Sequence, residues 1–203
     1  MRKVVLNNII NSYIEESKKA LDTFLELDKI NILNASKLIV KAFKSGNKVL
    51  MCGNGGSASD AQHFAAELIG RFKSNRPSFA AISLNTDTSA LTAIANDYDF
   101  TDVFSRQVEG IGKKGDILLA ISTSGNSKNI IKAAIQAKKQ KLHIISLTGF
   151  NTSVLEKNSD LCIKVPSKVT SHIQELHISV VHLLCTLIEK QILLKRRVSK
   201  KNL

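Results

Sequence analysis

His63 and Glu67 stand four residues apart in the run from Lys48 to Arg71, KVLMCGNGGSASDAQHFAAELIGR. On a helix, at about 100° per residue, such positions share a face. An imidazole and a carboxylate so placed form either a surface ion pair or an acid/base or metal-binding pair that another part of the fold covers. Two other stretches carry side chains of comparable chemistry. Ser122-Thr123-Ser124-Gly125-Asn126-Ser127 gathers hydroxyls and backbone N–H groups in one loop. Gln174, Glu175, His177 and His182 interrupt a run from Ile173 to Leu194 that is apolar nearly all round, where a histidine such as His182 is either a satisfied core residue or the cover that His63 and Glu67 need. Gly53-Asn54-Gly55-Gly56, just ahead of the His63 helix, supplies small side chains, free N–H groups and a helix N-terminus, which together suit an anion.

The elements that must hold these residues follow from hydrophobic pattern. Lys48–Cys52, Pro77–Leu84, Gly115–Ser122, Leu142–Leu147 and Leu161–Val165 are short apolar runs bounded by polar or glycine-rich turns, the mark of strands covered on both faces. Between them lie helical patterns: Ser57 or Ser59 to Phe72, with either serine as the cap and Asp60 in the first turn, then a helix from Asp102 to Gly110, and another from Lys128 to Lys139. Ser171 is expected to cap the last helix. Strands alternating with helices across short connections predict an α/β, three-layer sandwich with a five-stranded parallel sheet, flavodoxin-like in type. Ligands in such sheets bind beyond the C-terminal strand ends. Three of those ends here are GNGGS at 53–57, STSGNS at 122–127 and Thr148-Gly149, a set of hydroxyls and N–H groups suited to a sugar phosphate. There is no Walker loop, and Gly53-x-Gly55 lacks the third glycine and the acidic strand end of a dinucleotide fold.

Residues 4–44 are helical by spacing, with a break at Asp28 or Asn31. We divide the chain into an N-terminal helix at 1–30 for oligomer contacts, a central domain at 31–195 and a disordered basic tail at 196–203. The net charge is +12, and Lys190–Leu203 holds six of the 29 basic residues with no acid. Aromatic residues are only 5 % and no nucleic-acid module is present, so a solvated tail is the reading and nucleic acid is not an expected partner. No apolar run approaches the roughly 18 residues of a membrane span, and the N-terminus carries no secretory pattern. The expectation is a cytoplasmic protein with Cys52, Cys162 and Cys185 as buried free thiols.

CGNGGSASDAQHFAAELIGRF, LTAIANDYDF, ISTSGNSKNI and IQELH with a later histidine resemble the SIS (sugar isomerase) family and, within it, the phosphoheptose isomerases. The likeness spans roughly residues 30 to 190. It implies a cytoplasmic homotetramer, with sites at subunit interfaces, that converts sedoheptulose 7-phosphate to D-glycero-D-manno-heptose 7-phosphate through an enediol, the first step toward the heptose of bacterial surface polysaccharide. It also implies one zinc ion per subunit on His63, Glu67, Gln174 and His182. Asn54, Gly55, Gly56, Ser57, Glu67, Asn96, Asp97, Ser122, Thr123, Ser124, Ser127 and Gln174 fall at substrate-contacting positions, with Glu67 as base and His182 as acid. AQHFAA, LNTD and LTAIAND also resemble a non-enzymatic tetrameric scaffold of the same fold that associates with a replication initiator. In that relative, other residues occupy the positions of Glu67, Ser124 and His182. Many relatives have Arg where this chain has His172.

Overall fold

The computed structural model describes residues 2–201. In chain order it contains α1 (Arg2–Leu27), α2 (Lys29–Lys44), β1 (Val49–Cys52), α3 (Gly56–Ile69), β2 (Ala81–Ser83) and α4 (Thr88–Asp97). A 3-10 turn at Phe100–Asp102 precedes α5 (Ser105–Ile111), β3 (Ile117–Ser122), α6 (Lys128–Lys139), β4 (His143–Thr148), α7 (Val154–Lys157), β5 (Leu161–Lys164) and α8 (Thr170–Lys201). The strands form one parallel five-stranded sheet in the order β2-β1-β3-β4-β5.

Side-chain alternation divides the sheet into two cores. Val49, Met51, Ile117, Leu119 and Ile121 face α2, α3, α8 and the end of α1. Leu50, Cys52, Leu118 and Ala120 face α5 and α6, with Leu91 and Ile94 of α4 against them. All four residues of β1 and all six of β3 are buried, so these strands read as continuous apolar runs. The second strand is shorter than its pattern. Residues 77–80 belong to the preceding loop and Leu84 to the following turn, and β2 is an edge strand with Ile82 exposed.

Three caps differ from expectation. Gly55, with φ +56, precedes α3, so the turn is set by a left-handed glycine, and neither Ser57 nor Ser59 caps the helix. Asp60 consequently falls in the second turn. Ser171 lies inside α8, which begins at Thr170. The expected helix at 102–110 is a 3-10 turn followed by a short helix, because the Asp99 carboxylate caps the Thr101 N–H and starts the turn early.

Asp28 forms the break between α1 and α2, where its carboxylate accepts from Lys164 N at 2.5 Å and Asn31 Nδ2 at 2.7 Å. Among the described residues of α1, Ala20 and Phe24 join the core. Val4, Val5, Leu6, Ile9, Ile10 and Ile14 are exposed. Helix α8 over Thr170–Leu194 is long and apolar enough by composition to cross a membrane. Its Ile173, Leu176, Val180, Val181, Leu184, Cys185 and Ile188 are nevertheless buried in this protein's own core. The helix bounds take in 196–201 of the expected tail, while Asn202 and Leu203 lie outside the described residues. Cys52 and Cys185 are buried and Cys162 half-buried, all three as free thiols. Burial pushes the Cys52 and Cys185 thiols up to about 12.

Candidate active site

The site is built where β1 and β3 end side by side. After Cys52 the chain turns sharply at Gly53, where a Cβ would run into the backbone of Ser57. Asn85, after β2, holds this turn from both sides. Its Oδ1 accepts from Gly53 N at 3.3 Å and its Nδ2 donates to Gly53 O at 2.9 Å. Asn54 faces Asn129 in the first turn of α6, and the two carboxamides exchange reciprocal hydrogen bonds of 2.9 Å. That pair ties the glycine loop to the hydroxyl loop.

In the hydroxyl loop, Ser122 Oγ lies 3.1 Å from Ser127 Oγ and 3.5 Å from Ser124 Oγ, and accepts from Gly125 N at 3.2 Å. Thr123 O accepts from Gly149 N at 3.0 Å, which brings in the end of β4. The loop closes tightly at Gly125, with φ +65, where a Cβ would collide with the Ser153 side chain. Three hydroxyls thus converge at the N-terminus of α6, a geometry that suits a phosphate.

Helices α3 and α8 pack against each other and supply the remaining groups. His63 Nε2 lies 3.1 Å from His182 Nε2 and 3.4 Å from Glu67 Oε1. Helix α8 of the same chain thus meets the pair through His182, while the His63 side chain stays 45 % exposed. Phe72 stacks on His182 with ring centroids 5.8 Å apart. Gln174 runs across the first turn of α3, where a Cβ on Gly56 would meet its Cγ at 3.1 Å. Gln174 Nε2 donates to Asp60 Oδ1 at 2.7 Å. Asp60 is buried, and among the described residues its Oδ2 has no partner. Burial pushes the Asp60 carboxyl up to about 6, against the bond from Gln174 and the nearby His63.

The residue types suit zinc. Tetrahedral bonds of about 2.0–2.1 Å put neighbouring ligand atoms about 3.3 Å apart, and His63 meets that spacing toward both His182 and Glu67. The set is not closed. Among the described residues no three His, Cys, Asp or Glu side chains converge as one metal-binding group, while the bond from Gln174 Nε2 to Asp60 leaves the Gln174 amide oxygen as a metal ligand.

The structure thus gathers Asn54, Gly55, Gly56, Ser57, His63, Glu67, Ser122, Thr123, Ser124, Ser127, Gln174 and His182 on two loops and two helices at one end of the sheet. It does not bring Asn96 and Asp97 to them. These two are exposed at the end of α4, where Asn96 Nδ2 donates to Asp97 Oδ1 at 2.9 Å, and α4 buries none of its residues in this chain. His172 packs in the core edge-on to Tyr13 of α1, whose hydroxyl donates to Glu175.

Asp60, Asn85, Asn129, Phe72, Arg76 and Glu189 were not picked out from the sequence. From the sequence Asp60 is only a charge near a helix start, and Asn85 follows an apolar run without a pattern that marks it. The others act through partners far along the chain, which spacing cannot reveal.

A family model described as the SIS domain matches residues 12–149, and the chain belongs to that family. It is 48 % identical to a phosphoheptose isomerase of Helicobacter pylori, over 92 % of this chain and 97 % of the relative. It is 46 % identical to phosphoheptose isomerase 2 of Campylobacter jejuni, over 92 % and 94 %. Among solved structures, a phosphoheptose isomerase from Neisseria gonorrhoeae superimposes with a TM-score of 0.87 at 41 % identity, covering 91 % of this chain and 99 % of that one. The fold expected from the sequence, a five-stranded parallel α/β sandwich with N-terminal helices, is the fold of these neighbours.

Proposed function

We propose that the protein is an aldose–ketose isomerase that interconverts sedoheptulose 7-phosphate and D-glycero-D-manno-heptose 7-phosphate. The observation that carries this reading is the cluster of His63, Glu67 and His182 beside a three-serine loop, in a chain whose relatives over nearly its whole length are phosphoheptose isomerases. The serine hydroxyls and loop N–H groups hold the phosphate. Glu67 removes the proton from C1 of the open-chain ketose while His182 donates a proton to O2, giving the enediol. Glu67 then returns its proton to C2 as His182 accepts the proton from O1, leaving the aldehyde. Asn54 and Gln174 orient the hydroxyls.

Zinc would be held by His63, Glu67, His182 and the Gln174 amide, as the donor types and the spacing about His63 suggest. Bound there, it would polarise the substrate oxygens. Asn96 and Asp97 are best explained as serving the site of a neighbouring subunit. The unburied α4 and the apolar outer face of α1 support a homotetramer with sites at its interfaces. In this reading the enzyme works in the cytoplasm on the first step toward the heptose of a surface polysaccharide.

The test is turnover of sedoheptulose 7-phosphate by the purified protein, with and without zinc, against Glu67→Gln. Loss of the base is expected to lower the rate on the order of 10²–10⁴-fold. Retained phosphosugar binding with no turnover under any condition would overturn the reading.

A further inference from the structure

Phe72 lies just beyond α3, in the loop that leads to β2. Its ring is stacked on His182, with 15° between the planes. His63 meets His182 edge-on, with centroids 5.1 Å apart and 74° between planes. His182 is therefore set by one neighbour on its face and another at its edge. A histidine on a helix has a broad, roughly two-fold χ2 preference, and a flat partner on one face narrows it.

The loop carrying Phe72 is itself fastened to α8. Glu189, about two turns beyond His182, accepts the backbone N–H of Phe72 and Lys73 at 3.2 Å each and that of Ser74 at 3.0 Å. It also accepts from Arg76 Nε at 2.9 Å. Arg76 reaches the other way, donating to Glu67 O at 2.6 Å and Leu68 O at 2.9 Å. Both ionic side chains are almost fully buried, at 2 % and 4 % exposure. The helix that bears the acid thus holds the backbone of the residue stacked on that acid, and the same tie holds the backbone of the base.

We propose that Phe72 is a positioning residue for His182, kept in register by the Glu189–Arg76 tie, and that it sets the ring angle at which His182 meets the His63–Glu67 pair. The proposal rests on His182 acting as the acid of the isomerisation. A residue that only covered the end of α3 would need apolar volume. A platform needs a flat ring, so the two roles separate by shape.

The experiment compares Phe72→Leu, which keeps apolar volume without the plane, with Phe72→Tyr, which keeps the plane. Two quantities are read: kcat and KM for sedoheptulose 7-phosphate, and the His182 imidazole proton signal, identified by its loss in His182→Gln. Phe72→Leu is expected to lower kcat on the order of ten- to a hundred-fold. KM is expected to stay within about twofold, because an interaction lost from the chemical step alone spares binding. The His182 signal broadens in the leucine variant, and the tyrosine variant retains both parent values. Parent-like kcat and a sharp His182 signal in Phe72→Leu would overturn the proposal, as would a loss that tyrosine shares. Should the leucine variant fail to fold by circular dichroism, Phe72→Met makes the same comparison. If the parent itself shows no turnover, the isomerase reading fails, and the sharpness of the His182 signal still decides whether Phe72 orients it.

Discussion

Replacing Asp60 by Asn should make the protein less dependent on pH in a way that can be worked out beforehand. Asp60 is buried, one of its oxygens has no partner among the described residues, and burial raises its carboxyl from 3.8 to about 6. Between those two values the folded chain keeps a proton that the unfolded chain has released. Stability therefore falls as pH rises through this window and levels off above it. The full effect of about two units is about 3 kcal/mol. Between pH 5 and pH 7.5 the part that remains is about 1.4 kcal/mol. Asparagine has nothing to titrate and can still accept from Gln174. Relative to the parent, Asp60→Asn should thus gain about 1.4 kcal/mol of unfolding free energy on going from pH 5 to pH 7.5, whatever constant difference the substitution adds. The assay is urea unfolding at both pH values, at one protomer concentration and with chelator present, so that association and metal binding do not shift the balance. A difference between variant and parent that is the same at both pH values would refute the argument that burial governs this carboxylate.

Glu189→Ala should destabilise the fold by about 3–5 kcal/mol in thermal or urea unfolding, because it leaves the Arg76 guanidinium buried without its partner. Burial alone would raise the Glu189 carboxyl, but the N–H groups of Phe72 and Lys73, the Arg76 guanidinium and the Ser74 N–H outweigh it and hold it below the usual range. Its contribution is therefore present above the unfolded carboxylate range and lost as pH falls through the folded one, so the variant should lose part of the parent's acid sensitivity. Gly125→Ala should cost more than the strain of a left-handed alanine, since the added methyl meets the Ser153 side chain. Weakened sugar-phosphate binding, read by calorimetry, should accompany a lowered Tm.

The α/β class was legible because β1 and β3 are buried on both sides, and such strands must be apolar throughout. Helix α6 was legible to the residue, since Ser127 precedes a strongly patterned run with lysines at its end. The start of α3 was not. Gly55 turns the chain with a positive φ, so the serines that look like caps fall inside the helix. Pro77 looked like part of a strand because Phe79 to Leu84 is apolar, yet Arg76 commits the preceding backbone to Glu189 instead. In the site, His63 and Glu67 were visible as a pair because helical spacing is local information. That His182 would lie against them depended on how α3 and α8 cross, which no local pattern encodes. Asn129 gave no signal, since an asparagine early in a helix has ordinary reasons to be there.

The placement of His182 and Glu189 on the final helix bears on when the protein becomes itself during synthesis. Domains emerge from the ribosome N-terminus first, so the sheet, both loops and the His63–Glu67 pair can assemble before α8 is complete. Until that last helix docks, Phe64 and Leu68 of α3 and Ile39 of α2 lack much of their shared cover, and the loop at Phe72–Arg76 lacks its carboxylate. A nascent chain halted before α8 would present an apolar groove where the finished protein packs that helix. Docking of α8 closes the core and brings His182 to the His63–Glu67 pair in one event, so a product truncated before α8 should be a client for chaperones or proteases.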